Sequence, residues 1–237
     1  MQTNISYGTY MEAWDGFSSF LANLISKNHI KKICDIGGGA NPVLSTDYIR
    51  EKNLDYSLLD ISEFELSKAP ENYPKILADI ASPNFNLDNK FDLVFTKMLA
   101  EHITNPKQFH KNVLNCLNDN GLAVHYFPTL YTLPFFVNYI MPERLADILL
   151  HLFETRDRYK QAKFPAYYRW CRGPIRKQIQ RFITMGYDIV EYRGFFGHGY
   201  YKKITALDKL NRIKTNYLLK HPNPIFTSYA YVVLRKK

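Results

Sequence analysis

The segment Ile33-Cys34-Asp35-Ile36-Gly37-Gly38-Gly39-Ala40-Asn41-Pro42 constrains this chain more than any other. A short apolar run carries an acid, breaks at three glycines and leads into a helical pattern. That is the order of a buried strand, a tight turn and a helix, the opening of a βαβ unit. Glycine tolerates positive φ and lets a ligand approach the backbone closely. No Gly-Lys-Ser/Thr follows, so the turn is not a phosphate-cradling Walker loop. It also departs from GxGxxG, because Pro42 stands three residues after Gly39. An acid two positions before the first glycine repels a pyrophosphate and suits a cationic amino-acid ligand.

The rest of the chain extends this rhythm. Strands are expected at 32–36, 56–60, 75–79, 91–96, 122–127, 187–192 and 229–234, with helices at 11–27, 42–52, 62–69, 106–117, 174–185 and 207–219. Asn118-Asp119-Asn120-Gly121 should stop the helix before the fifth strand. The expected fold is therefore α/β: a Rossmann-like, mostly parallel seven-stranded sheet with helices on both faces. With 237 residues, 46% of them apolar, the chain fits one such domain over 1–237. The rhythm lapses between residues 128 and 172, where prolines, aromatics and basic residues surround a helical stretch at 143–153. This reads as an insertion after the fifth strand, a lid that binds the acceptor at the carboxyl ends of the strands.

Two more acids close strands. Asp60 ends the second, where a carboxylate can accept both hydroxyls of a ribose. Asp79 ends the third, where it can accept from an adenine amino group with Ile80 beside the ring. A single acid at a strand end is usually a cap or turn former. Three such acids on successive strands make a pattern. Ile61 and Lys97, beside these strand ends, are counted in the same pocket with Asp35, Gly37, Gly38 and Gly39.

Asp35-Ile36-Gly37-Gly38-Gly39, Asp60, Asp79 and Ala100-Glu101-His102-Ile103 together resemble the ordered motifs of class I, Rossmann-like S-adenosylmethionine-dependent methyltransferases, close to the type 11 group. The resemblance covers residues 30–127 well and the later part in topology alone. It implies S-adenosylmethionine as cofactor, with the first motif on its methionine part, Asp60 on ribose and Asp79 on adenine. Looser likeness of the late segments to bacterial methyltransferases of surface-polysaccharide synthesis implies O-methylation of a sugar or phosphate-bearing precursor of capsule or lipopolysaccharide.

Methyl transfer to a hydroxyl needs a base. His102, after the fourth strand, is the first candidate; His125 in the fifth strand and His198 in Gly197-His198-Gly199 are the others. Tyr167, Tyr168, Arg169, Arg172 and Tyr200 are expected to bind the acceptor, as aromatics beside arginines suit a sugar face or a phosphate. Glu101, His102, His110 and His125 match no strong metal spacing, and no metal is expected.

The formal charge of +9 favours an anionic acceptor linked to nucleotide or lipid phosphate. An apolar stretch at 130–141 would suit a lipid or quinone acceptor, or peripheral contact with a membrane. Nucleic acid is disfavoured, because Thr96-Lys97-Met98-Leu99 replaces the Asn/Asp-Pro-Pro-aromatic motif of N-directed RNA enzymes. A silent Rossmann-like binding module is the non-enzymatic alternative; the three acids speak against it. Cys34, Cys116 and Cys171 are too scattered for a disulfide framework. No signal-peptide pattern or membrane-spanning run is present, so a cytoplasmic protein is expected, at most on the inner face of the membrane.

Overall fold

Apolar runs that alternate with amphipathic segments form a single sheet when each crossover packs back onto the strands it joins. The computed structural model describes residues 3–140 and 165–237. Its strands are β1 (Asn4–Thr9), β2 (Lys32–Ile36), β3 (Asp55–Asp60), β4 (Lys75–Leu77), β5 (Phe91–Lys97), β6 (Leu117–Pro128), β7 (Tyr187–Phe196) and β8 (Tyr229–Lys236). The helices are α1 (Tyr10–Lys27), α2 (Thr46–Glu51), α3 (Glu63–Ser67), α4 (Pro106–Cys116), α5 (Leu133–Ile140), α6 (Arg176–Thr184) and α7 (Thr205–Lys220). Short 3₁₀ turns occupy Ala100–His102 and Pro224–Phe226.

The strands lie in the order β1-β7-β8-β6-β5-β2-β3-β4. Only β8 runs antiparallel to its neighbours, β6 and β7. All seven expected strands are present, and β1 makes an eighth. It pairs in parallel with β7, from Asn4 opposite Glu191 to Thr9 opposite Phe196. Its polar sequence hides it, because a half-exposed edge strand needs no apolar run. One signal does mark its end: Thr9 and Glu12 form a capping box that starts α1.

Adjacent residues of β6 show that helices cover both faces. Tyr126 packs on Phe17 of α1, whereas His125 packs on Phe109 of α4. Successive strand residues point to opposite faces, so α1 and α4 lie on opposite sides of the sheet. Burial on both faces explains why β2 and β5 read as continuous apolar runs.

Two boundaries move for identifiable reasons. The helix expected from Pro42 begins at Thr46, because Ser45 caps it and the Val43 N–H is turned to Asp35 instead. The Asn118–Gly121 turn is absorbed into β6 as a bulge, with Asn120 at φ 62°. The helical stretch expected at 143–153 lies outside the described residues.

α1 is locked to the sheet by Phe17, which is fully buried against Phe95, Tyr126 and Tyr231. The Tyr231 hydroxyl donates to the Ala13 carbonyl of the same helix. Phe17→Ala should therefore cost about 3–5 kcal/mol in urea unfolding. A loss below about 1 kcal/mol would mean that α1 is not a core element.

Candidate active site

Chain connections run from β2 to β3 to β4 in one direction and from β5 to β6 in the other. β2 and β5 are therefore neighbours at a topological switch point, where a crevice opens at the carboxyl ends of the strands. Asp35 and the glycine turn stand on one side of this crevice and Lys97 on the other.

Asp35 is buried inside the strand it helps to end. Its Oδ2 accepts from the Tyr56 hydroxyl at 2.5 Å and from the Val43 N–H at 3.2 Å. Burial raises its pKa to about 6, while the two hydrogen bonds and Lys97 pull it back down. The glycine turn is shaped around this carboxylate. A Cβ on Gly38 would sit 2.6 Å from the Asp35 carboxyl carbon. Gly39, at φ 36°, brings the turn so close to Asp60 that a Cβ there would lie 2.9 Å from Oδ2. Tyr56 was not foreseen, although it shares a sheet face with Asp35 through the register Asp35 opposite Leu58.

The other expected cofactor residues lie along the same rim. Asp60 is half-buried, its Oδ1 accepts from the Ser62 N–H at 2.9 Å, and burial raises its pKa. Ile61 is exposed and Ile80 is buried. Asp79 is exposed, just beyond β4, with Oδ1 accepting from the Ala81 N–H at 2.8 Å. One of its oxygens thus shapes the turn. The Lys97 ammonium lies 5.4 Å from the ring of Trp14, an exposed residue of α1 that sequence reasoning passed over.

These acceptors suit the adenosyl sulfonium that the sequence implies. Half-buried Asp60 can accept ribose hydroxyls, and buried Asp35 supplies negative potential beneath the glycine turn. The three glycines are demanded by the packing beneath the turn, since a Cβ on Gly37, Gly38 or Gly39 would run into Leu99, Asp35 or Asp60.

After β5 the chain turns through Ala100–His102. Glu101 is buried, and its Oε2 has no hydrogen-bond partner among the described residues. Burial raises its pKa to about 8, so the carboxyl is largely protonated at neutral pH. Its carbonyl accepts from the Tyr167 and Tyr168 N–H groups at 2.7 and 3.0 Å, which fixes the return of the 128–172 segment. His102 lies beside it, with Nδ1 2.9 Å from the Pro165 carbonyl and Nε2 3.8 Å from Glu101 Oε1. A carbonyl only accepts, so Nδ1 carries the hydrogen and Nε2 the lone pair of the neutral ring. Burial lowers the His102 pKa.

The structure does not bring the three histidines together. His125 is buried in the core, bonded to Thr96 at 2.9 Å, and desolvation drives its pKa to about 3. It faces α4 and not the crevice, which corrects the expectation that it meets the acceptor. His198 follows β7, separated from β5 in the sheet by β8 and β6. Its ring is buried against Tyr201, and desolvation lowers its pKa to about 4, so it is a packing residue.

Of the expected acceptor residues, Tyr168 is buried against Phe135, and Tyr200 meets Phe135 edge-on at 5.4 Å. Tyr167 is half-buried and Arg169 exposed. Arg172 is first a brace: its Nη1 donates to the Tyr168 and Cys171 carbonyls at 2.6 and 2.8 Å. That departs from the phosphate grip expected of it.

A glycine turn and successive carboxylates at the switch point of a parallel sheet define a Rossmann-like adenosyl-binding protein. Residues 10–191 match the model of a family described as a methyltransferase domain, and the chain belongs to that family. It is an S-adenosylmethionine-dependent methyltransferase, with S-adenosylmethionine as cofactor. No curated protein matches the sequence. Among solved structures, an S-adenosylmethionine-dependent methyltransferase from Clostridium acetobutylicum is similar, with a TM-score of 0.56 at 13% identity over 94% of this chain and 92% of that one. Another such enzyme, from Mesorhizobium loti, gives 0.51 at 17% identity over 94% and 99%. The N-methyltransferase NodS from Bradyrhizobium japonicum, solved with S-adenosyl-L-homocysteine, gives 0.51 at 12% identity over 94% and 86%. At these identities the likeness establishes the fold.

Gly38→Ala should weaken S-adenosylhomocysteine binding at least about tenfold by calorimetry, since the new methyl displaces Asp35 or the turn; unchanged affinity would refute this account of the turn. Glu101 makes a separate prediction. Its folded pKa of about 8 lies above the ordinary glutamate value of 4.5, so its contribution to stability is complete below the lower value and disappears as pH rises through the upper one. Glu101→Gln should gain on the wild type by on the order of 2 kcal/mol between about pH 6 and pH 9 in chemical unfolding. Parallel pH profiles would show that the carboxyl is already ionised in the fold.

Proposed function

We propose that the enzyme methylates an oxygen of a sugar or phosphate-bearing precursor of a bacterial surface polysaccharide, with His102 as general base. The observation that carries this reading is the fixed tautomer of His102. Pro165 holds the Nδ1 hydrogen, so Nε2 is the unprotonated nitrogen of a neutral ring in the turn that follows β5. The lowered pKa keeps the ring neutral and basic at pH 7.

The cofactor supplies the methyl group as an electrophile. Asp35, the glycine turn, Asp60 and Asp79 would hold it, together with Ile61, Ile80 and Lys97. His102 Nε2 would take the proton of an acceptor hydroxyl placed beside it. Glu101 Oε1 lies 3.8 Å from that nitrogen, and an imidazolium there would favour ionisation of the otherwise protonated Glu101 carboxyl.

The segment from 128 to 172 is assigned to acceptor binding within a single domain. Its two ends are pinned together, with the Leu130 N–H donating to the Cys171 carbonyl at 3.1 Å and the Arg172 guanidinium 5.0 Å from the Tyr131 ring. An excursion tied at its base beside the crevice suits a lid. Tyr167, Tyr168 and Tyr200 are assigned to the acceptor with this segment, and exposed Arg169 is the cation assigned to a phosphate. The charge of +9 supports an anionic acceptor, and the scattered cysteines support a cytoplasmic setting. No described helix is long and apolar enough to cross a membrane. A lipid or quinone acceptor is the second reading, favoured by α5, which exposes Leu133, Phe136 and Ile140.

His102→Ala should lower kcat by roughly 100-fold while leaving S-adenosylhomocysteine affinity nearly unchanged. The acidic limb of the wild-type kcat profile should fall below about pH 6.5, the unperturbed histidine value. Undiminished turnover in the variant removes His102 from the mechanism. Competing nucleotide-sugar and quinone acceptors, assayed with labelled cofactor, would decide between the two acceptor classes.

A further inference from the structure

We propose that α7 and the adjoining Pro224–Phe226 turn form a docking surface for an anionic lipid bilayer. A surface helix of a globular protein ordinarily turns its apolar stripe inward. α7 does the reverse. It rests on β1 and β7 through Thr215 and Leu218, its buried residues. Leu207, Leu210, Ile213 and Tyr217 face solvent, and the last three are 62%, 57% and 63% exposed. Their spacing of three, three and four residues places them on one side of the helix. The patch continues onto the turn through Ile225 and Phe226, also exposed, because the Lys214 ammonium reaches to 5.4 Å from the Phe226 ring.

The charges around this stripe are one-sided. Lys202, Lys203, Lys209, Arg212, Lys214 and Lys220 accompany a single carboxylate, Asp208, which is already paired with Arg212 at 2.8 Å. Long lysine stems can lie along an apolar surface while the ammonium reaches outward to phosphate. Aliphatic residues flanked by cations are the make-up of a helix that lies in the headgroup layer of an acidic membrane.

Charge decides against the other occupants. A two-fold dimer through this face would set the same cations against their own copies. Nucleic acid could use the cations and the rings of Tyr217 and Phe226, but it would leave the aliphatic centre of the patch, Leu207, Leu210, Ile213 and Ile225, without an apolar partner. Anionic lipid satisfies both halves of the surface. α7 also leaves from the carboxyl edge, since the Asn211 side chain donates to the His198 carbonyl at 3.0 Å, and Tyr200 of the same loop packs on Phe135. A docked α7 would hold the acceptor side of the enzyme near the bilayer. The inference goes beyond the methyl-transfer reading and is tested without it.

The test is co-sedimentation of the full chain with vesicles of phosphatidylcholine alone or with about 30% phosphatidylglycerol. Binding is expected to the anionic vesicles only, and should fall at least about tenfold in about 0.5 M salt. The double variant Leu210→Glu, Ile213→Glu should abolish it; both positions are more than half exposed, so the fold should survive, as checked by circular dichroism. Lys209→Glu with Lys214→Glu is the second variant, and should abolish binding while the apolar stripe stays intact. Absence of wild-type binding overturns the proposal. So does equal binding to both vesicle types, or light scattering that shows a dimer dispersed by the leucine–isoleucine variant.

Discussion

The Asp35 carboxylate, buried at the end of a parallel strand and held by the Tyr56 hydroxyl and the Val43 N–H, fixes the rest of the cofactor site. A charge in that position is unfavourable without partners. Its partners come from the neighbouring strand and from the chain beyond the glycine turn, so the carboxylate ties three pieces of backbone together. The turn follows from this, because Gly38 must pass within contact of the carboxyl group and Gly39 must close over Asp60. One buried acid thereby sets the path of the backbone at the end of β2.

The neighbouring titratable groups sort by environment in a way that gives the site its polarity. Asp35 and Glu101 are both raised by burial, but Asp35 has two donors and Lys97 near it, whereas the Oε2 of Glu101 has no hydrogen-bond partner among the described residues. At neutral pH the cofactor side is therefore mostly ionised and the side beside His102 largely neutral. His125 and His198 share with His102 a pKa lowered by desolvation, yet only His102 lies at the crevice. A shifted pKa marks burial first; position decides whether it serves chemistry.

The later part of the chain is organised around the same edge. β8 runs backward between β6 and β7, which lets β7 and β1 extend the sheet beyond the crevice. Tyr168, Tyr200 and Tyr229 converge on Phe135 at the carboxyl end of β6. The Glu101 carbonyl joins this aromatic wall to the Ala100–His102 turn through Tyr167 and Tyr168. α7 and its outward apolar stripe hang from the far side of that arrangement.

The pattern of apolar runs and the glycine turn determined the sheet, seven of its strands and the three acids of the rim. Each is a local signal: a strand buried on both faces is apolar throughout, and a turn that admits a ligand must be glycine. β1 escaped because an edge strand borrows its stability from β7, whose Glu191 pairs with Asn4 from 187 residues further along the chain, a contact that composition does not show. Tyr56 escaped for a related reason, since its role needs the register of β3 on β2. The three histidines looked alike in sequence. Only the tertiary structure could separate them, because whether a ring meets the crevice or the core depends on which face of the sheet it leaves and what packs there. The sequence by itself determined the cofactor edge; the tertiary structure decided which side chains reach it, since reach is set by long-range packing and not by local pattern.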